Sequence, residues 1–204
     1  MTPSALQRSK PTRRHALAID GHDGSGKTTL ALGLADRLGG VCVRPFGGYV
    51  GKSFFEAAEG GRPEDAIAIA ELAVAETIAR ESQAEIIVLD RCWMTVFSAI
   101  PDEYFSRWKY RVPTLLCWSN LAPTLDRLQQ RSEILYNTDW HVRYIWRYAD
   151  LARRFECTVV RTDQLDEGSA LNSAEAWARS VIARETQCNN ESSGDEAGPA
   201  ADTD

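Results

Sequence analysis

Short apolar runs alternate with amphipathic stretches along most of this chain. Residues 15–20, 41–44, 85–90, 114–118 and 157–161 form strand-length runs such as HALAID and EIIVLD, apolar almost throughout. Runs of that kind suit parallel strands covered on both faces, whereas a half-solvated strand would alternate. Between them the apolar spacing turns helical at 27–38, stopped by Gly39-Gly40, and at 63–82, opened by the acidic pair Glu64-Asp65. Further helices are predicted at 123–131, 139–155 and 173–186. Residues 92–112 read as a helix, a break at Pro101 and a second helix. Strand and helix in strict alternation predict a three-layer α/β fold: an open, mainly parallel sheet of about five strands with helices on both faces.

Length and charge place limits on this picture. At 204 residues the chain makes one domain with a sizeable core. Its last sixteen residues, NNESSGDEAGPAADTD, hold five carboxylates and no large apolar group, too little to offset ordering entropy. We therefore expect a folded domain over 14–186, a disordered arm over 1–13 and a disordered acidic tail over 187–204. A net charge of −6 argues against general nucleic-acid binding, which needs a cationic face. No run is long and apolar enough to span a membrane, and the polar, basic start has no signal-peptide core. Five cysteines, odd in number and without a C-x-x-C pair, fit a reducing cytoplasm, and the three histidines form no zinc-ligand spacing.

The candidate chemistry begins directly after the first strand. Gly21-His22-Asp23-Gly24-Ser25-Gly26-Lys27-Thr28 satisfies G-x-x-x-x-G-K-[ST] between a strand and a helix, so it reads as a phosphate-binding loop. Backbone amides from Gly21 to Thr29, with Asp23, Gly24, Ser25 and Gly26 in the loop, would cradle the phosphates of ATP. Lys27 would reach the β- and γ-phosphates, and the Thr28 hydroxyl would ligate Mg²⁺. The third strand ends in Asp90-Arg91, beyond the carboxyl edge of the sheet, where open parallel sheets bind ligands. There Asp90 could order Mg²⁺ or take a proton, and Arg91 could clamp a second phosphate. The chain lacks N-K-x-D, a D-x-x-G switch and L-S-G-G-Q, which lowers the GTPase and ABC ATPase readings.

With these motifs in view, the chain resembles the thymidylate kinases. Asp23–Thr28 is similar to their D-G-x-G-K-S/T loop, and Asp90-Arg91 followed by Thr95 and Ala99 to D-R-Y-x-x-S-x-x-A. The segment running from Arg44 through Phe46 to Lys52 is similar to R-E-P-G-G-T-x-x-G, and residues 113–118 with Arg127 and Arg131 resemble their strand, helix and lid. The resemblance covers about residues 15–183. It implies an ATP- and Mg²⁺-dependent nucleoside or nucleotide kinase with a short helical lid, and it allows a homodimer. It further implies that Asp23 contacts the acceptor's sugar, that Arg44 and Arg91 contact the acceptor phosphate, and that Arg127 and Arg131 contact ATP across the lid. Phe46 would join the acceptor site.

The chain also departs from that family. No arginine lies between Arg62 and Arg80, where thymidylate kinases hold their base, and Glu71 or Glu76 is expected at the acceptor site instead. Cys92 replaces the tyrosine after D-R, and packing is its expected role. Dropping the arginine disfavours dTMP as acceptor. Trp93 and Phe97 are placed to wall an acceptor pocket, with core packing as the alternative, whereas Trp118, Trp140 and Trp146 are expected in the core. The competing function is a non-catalytic or slowly hydrolysing nucleotide-binding switch.

Overall fold

The computed structural model describes residues 14–132 and 136–192, with side chains as far as residue 187. The expected arm at 1–13, most of the acidic tail and the middle of the expected lid, 133–135, lie outside the described residues. Five parallel strands, β1 His15–Asp20, β2 Val41–Val43, β3 Ile86–Asp90, β4 Thr114–Trp118 and β5 Thr158–Arg161, form one sheet in the order β2-β3-β1-β4-β5. Among the described residues seven α-helices connect and flank them: α1 Lys27–Arg37, α2 Gly48–Glu59, α3 Pro63–Arg80, α4 Trp93–Ala99, α5 Leu121–Gln130, α6 Thr138–Arg154 and α7 Glu167–Ser192. This is the α/β fold expected from the alternation, and all five strands lie within a residue of the predicted bounds.

Strand β1 is central, with β3 on one side and β4 on the other, so the crevice at the topological switch opens above Asp20. Each face of the sheet has its own core. Leu17, Ile19, Leu115 and Val160 pack with Leu34 of α1 and Ala174 of α7. Ala18, Leu89 and Leu116 pack with Phe54, Met94, Phe97 and Leu151. Pro101 does break residues 92–112, into α4 and a 3₁₀ helix at Asp102–Arg107.

Three elements differ from the sequence expectation. Helix α2 was not anticipated, although Phe54, Phe55, Ala57 and Ala58 form an apolar stretch that packs on the core. Helix α7 begins at Glu167, six residues early, because Asp166 caps it by accepting from the Ser169 amide at 2.8 Å, and it continues to Ser192. The tryptophan assignments for α6 fail: Trp146 is 66% exposed, and Trp140 is only half-buried, its ring centroid 4.3 Å from those of Tyr136 and Tyr144. The helix turns its Ile145, Tyr148 and Leu151 face to the core, which leaves Trp146 on the far side.

Candidate active site

The loop after β1 folds as its glycines require. Gly26 sits at φ 89°, a left-handed conformation, and caps α1 with no side-chain partner for the helix amides. Gly21 passes so close to β4 that a Cβ there would stand 2.2 Å from the Cys117 carbonyl. The first turn of α1 therefore offers unpaired N–H groups to an anion. Lys27 is buried among them, its ammonium donating to the His22 carbonyl at 3.2 Å and to Asp23 Oδ1 at 3.4 Å. Burial, reinforced by Arg91, pushes the Lys27 pKa down, and Asp23 and Asp90 offset only part of this.

Asp90 gathers the second part of the site. Its Oδ2 accepts from the Thr28 hydroxyl at 2.7 Å and from Arg44 Nε at 2.8 Å, while its Oδ1 is buried without a partner. An unpaired buried carboxylate oxygen is costly unless something binds it. Together with the Thr28 hydroxyl it suits Mg²⁺, a hard oxygen-seeking cation that keeps several waters and shares phosphate oxygens. Among the described residues no group of three or more His, Cys, Asp or Glu could enclose a metal, so the phosphates would have to complete the shell.

Arg91 follows at φ 80°, a conformation rare outside glycine, held there by its N–H donating to Ile19 at 3.0 Å. The turn aims its guanidinium at Asp23 Oδ1, the Gly21 carbonyl (3.3 Å) and the Thr95 hydroxyl (3.3 Å). Buried Asp20 fixes this corner from below, accepting from the amides of Gly21, Cys92 and Thr95 and from the Thr95 hydroxyl at 2.7 Å. Burial raises the Asp23 pKa, but Arg91 and Lys27 outweigh it and hold the carboxyl near 2. His22 is pushed down to about 4, chiefly by burial. Its Nδ1 lies 2.9 Å from the Asp23 carbonyl and its Nε2 3.1 Å from the Ser119 carbonyl, and the neutral ring donates to only one of the two.

Two cavities flank this loop. One, of about 270 Å³, is lined by Gly26, Thr29, Leu30, Arg127, Arg131 and Leu171 among others. Arg127 is fastened there, donating to the Gly24 carbonyl at 3.2 Å and to the Thr162 carbonyl at 2.7 Å. Thr162 in turn donates to Ser25 at 2.6 Å, a contact that sequence reasoning missed because nothing local marks it. The other cavity, about 340 Å³, lies across Lys27 and is walled by His22, Asp23 and Arg91, by Lys52, Phe55, Glu56 and Glu59 of α2, and by Trp140, His141, Tyr144 and Tyr148 of α6.

Several expected acceptor residues stand elsewhere. Trp93 and Phe97 are buried in the core, packed edge-to-face at 5.3 Å, so the packing alternative holds for both. Phe46 stacks on Phe54, and Arg44 is paired with Asp90. Glu71 binds Lys109 at 2.9 Å and Glu76 pairs with Arg80, and neither lines that cavity. The carboxylates that do line the cavity beside Asp23 are Glu56 and Glu59, on the helix the sequence reading did not anticipate.

No family model matches this sequence, and no curated protein matches it. In structure the chain is similar to deoxyadenosine kinase from M. mycoides. With dATP bound, that enzyme aligns at a TM-score of 0.57 and 12% identity over 81% of this chain and 100% of its own. With dCTP bound the values are 0.55 and 12%, over 81% and 99%. With its products dCMP and dCDP they are 0.55 and 14%, over the same shares. The likeness is one of fold: the two proteins share a parallel α/β sheet with helices around it.

Proposed function

We propose that this chain is an ATP- and Mg²⁺-dependent phosphotransferase that moves the γ-phosphoryl group onto a hydroxyl of a nucleoside-like acceptor. The observation that supports this most directly is the pair of cavities on opposite sides of one phosphate-binding loop. A switch needs only the first. The second, with an arginine held in strained backbone beside the loop, has the form of an acceptor site.

In this reading the donor base lies against Leu30, Leu165 and Leu171, and Arg131 and Arg127 border its phosphates. Lys27 binds the β- and γ-phosphates with the α1 amides. Thr28 and Asp90 hold Mg²⁺, which when bound neutralises charge on the transferring group. Asp23 stays ionised and accepts from the acceptor hydroxyl, Lys27 and Arg91 both being on its Oδ1. Arg91 stabilises charge on the group in flight. Phosphoryl transfer needs little covalent help, so orientation and charge are what the site has to supply.

The pairings in the acceptor cavity favour a neutral nucleoside over a nucleoside monophosphate. Arg91 is already matched by Asp23, and Lys52 stands 3.7 Å from Glu56, so a phosphate would have to displace a carboxylate. The neighbouring deoxyadenosine kinase, crystallised with nucleotides, agrees with a nucleoside-type acceptor. The test is γ-labelled ATP with a panel of nucleosides, nucleoside monophosphates and small alcohols, with products identified by mass. Transfer to a nucleoside, absent with Lys27→Ala, is expected. ATP hydrolysis with no transfer to any acceptor would favour the switch.

A further inference from the structure

The far end of the acceptor cavity has a chemistry of its own. Tyr136, just before α6, stacks on Trp140, and Trp140 meets the tilted ring of Tyr144 a turn later, with ring centroids 4.3 Å apart at each step; Phe55 of α2 lines the same cavity. Among the described residues Glu59 makes no hydrogen bond or ion pair, yet it lies near enough to Tyr144 to raise that phenol's pKa, after burial itself. Since Lys52 balances Glu56 and Arg91 balances Asp23, Glu59 is the surplus charge of the cavity. One turn before Tyr144, His141 is 4% exposed, packs edge-on to Trp140 at 5.1 Å and has its Nε2 buried without a partner. An orphaned imidazole nitrogen, an unpaired carboxylate and an aromatic wall in one cavity all lack the same thing, a planar polar ligand.

Resting on the kinase reading above, we propose that this end recognises an amino-bearing heteroaromatic ring: Glu59 accepts from its exocyclic N–H, His141 donates to the adjacent ring nitrogen, and Trp140 and Tyr144 stack on its face. The pattern is complementary to one edge type. Cytosine and adenine present an amino donor beside a ring acceptor, which match a carboxylate and an imidazole N–H. Burial lowers the His141 pKa, so near pH 7 the ring is neutral and keeps one N–H to give. Uracil and thymine invert the order, setting a carbonyl oxygen against the carboxylate and an N–H against the imidazole N–H. Such a ring leaves the buried imidazole of His141 unpaired and sets a lone pair against the carboxylate of Glu59, and a buried polar group left unpaired is an effective form of discrimination.

The experiment is steady-state phosphorylation of cytidine, adenosine, uridine and thymidine, and their 2′-deoxy or ribo counterparts, by the full chain with ATP. Equilibrium binding followed by quenching of tryptophan fluorescence runs in parallel without ATP. Amino-bearing nucleosides are expected to exceed the oxo-bearing ones by about thirtyfold or more in kcat/KM and to bind correspondingly tighter. Glu59→Gln, on the exposed side of α2, is expected to bring the two groups within about threefold, because an amide can also donate to a carbonyl oxygen. His141→Gln tests the second contact, with a thermal melt to establish that it folds. Glu71→Gln, outside the cavity, should leave the preference unchanged. If nucleosides are phosphorylated but uridine and thymidine match or beat cytidine and adenosine, the ring-edge proposal fails and the kinase reading stands. If no nucleoside receives phosphate, the kinase reading fails and this proposal with it.

Discussion

Replacing Lys27 with methionine should abolish phosphoryl transfer without harming the fold. Lys27 is 7% exposed, and its ammonium's two bonds, 3.2 Å to a carbonyl and 3.4 Å to a carboxylate, are long for charged partners, which prefer about 2.7–2.9 Å. Burial and Arg91 both lower its pKa, so keeping it protonated at neutral pH costs folding free energy in the nucleotide-free protein. Methionine retains the apolar stem and removes that cost. Asp23 keeps Arg91 as its counter-ion, and only the His22 carbonyl loses a partner. Nucleotide-free stability should therefore stay level or rise by up to about 2 kcal/mol, a Tm increase of up to about 4–8 °C for a chain of this length. Transfer should fall at least about a thousandfold, roughly 4 kcal/mol of lost transition-state stabilisation. Calorimetric melts without nucleotide and label transfer from γ-labelled ATP measure the two halves. A Tm drop of more than about 4 °C would make Lys27 a structural ion, and turnover within tenfold of wild type would refute its phosphate role.

Asp90→Asn keeps the shape but halves the charge logic around Thr28 and Arg44, so kcat should fall on the order of a hundredfold with little change in ATP affinity, read by steady-state kinetics and nucleotide titration. His22 has a folded pKa of about 4 against 6.5 unfolded, so the unfolded chain binds the proton first. Its contribution, up to roughly 3 kcal/mol, is complete above pH 6.5 and drains away as pH falls toward 4. Urea denaturation of wild type and His22→Asn from pH 7 to 4.5 should show a steep slope only in the former. Gly21→Ala drives a Cβ into the Cys117 carbonyl and should destabilise by about 3 kcal/mol or more, visible as lost soluble protein or a lower melt. Glu71→Gln should leave acceptor choice unchanged within about twofold in the acceptor panel, since Glu71 serves Lys109.

How much of this was legible along the chain follows from the range over which each feature is encoded. The strands, the loop Gly21–Thr28 and the strand-end pair Asp90-Arg91 are marked by neighbours a few residues apart: apolar runs, glycines where φ must be positive, an acid where a strand stops. Sequence periodicity therefore determined the α/β class and put the loop at the carboxyl edge of a parallel sheet. It even contained α2, whose apolar stretch was there to be read. What periodicity does not encode is the rotation of a helix about its axis or the order of strands. Those decided that Arg44 meets Asp90, 46 residues away, that Arg91 meets Asp23, 68 residues away, and that Arg127 closes on Thr162. The same rotations buried Trp93 and Phe97 in the core and carried Glu71 off to Lys109. They also set Glu59, Trp140 and His141 around one cavity although 81 residues separate the first from the second. Side-chain partnerships of that length are chosen by which faces must be buried together across the whole sheet, a condition that exists only once the chain has folded.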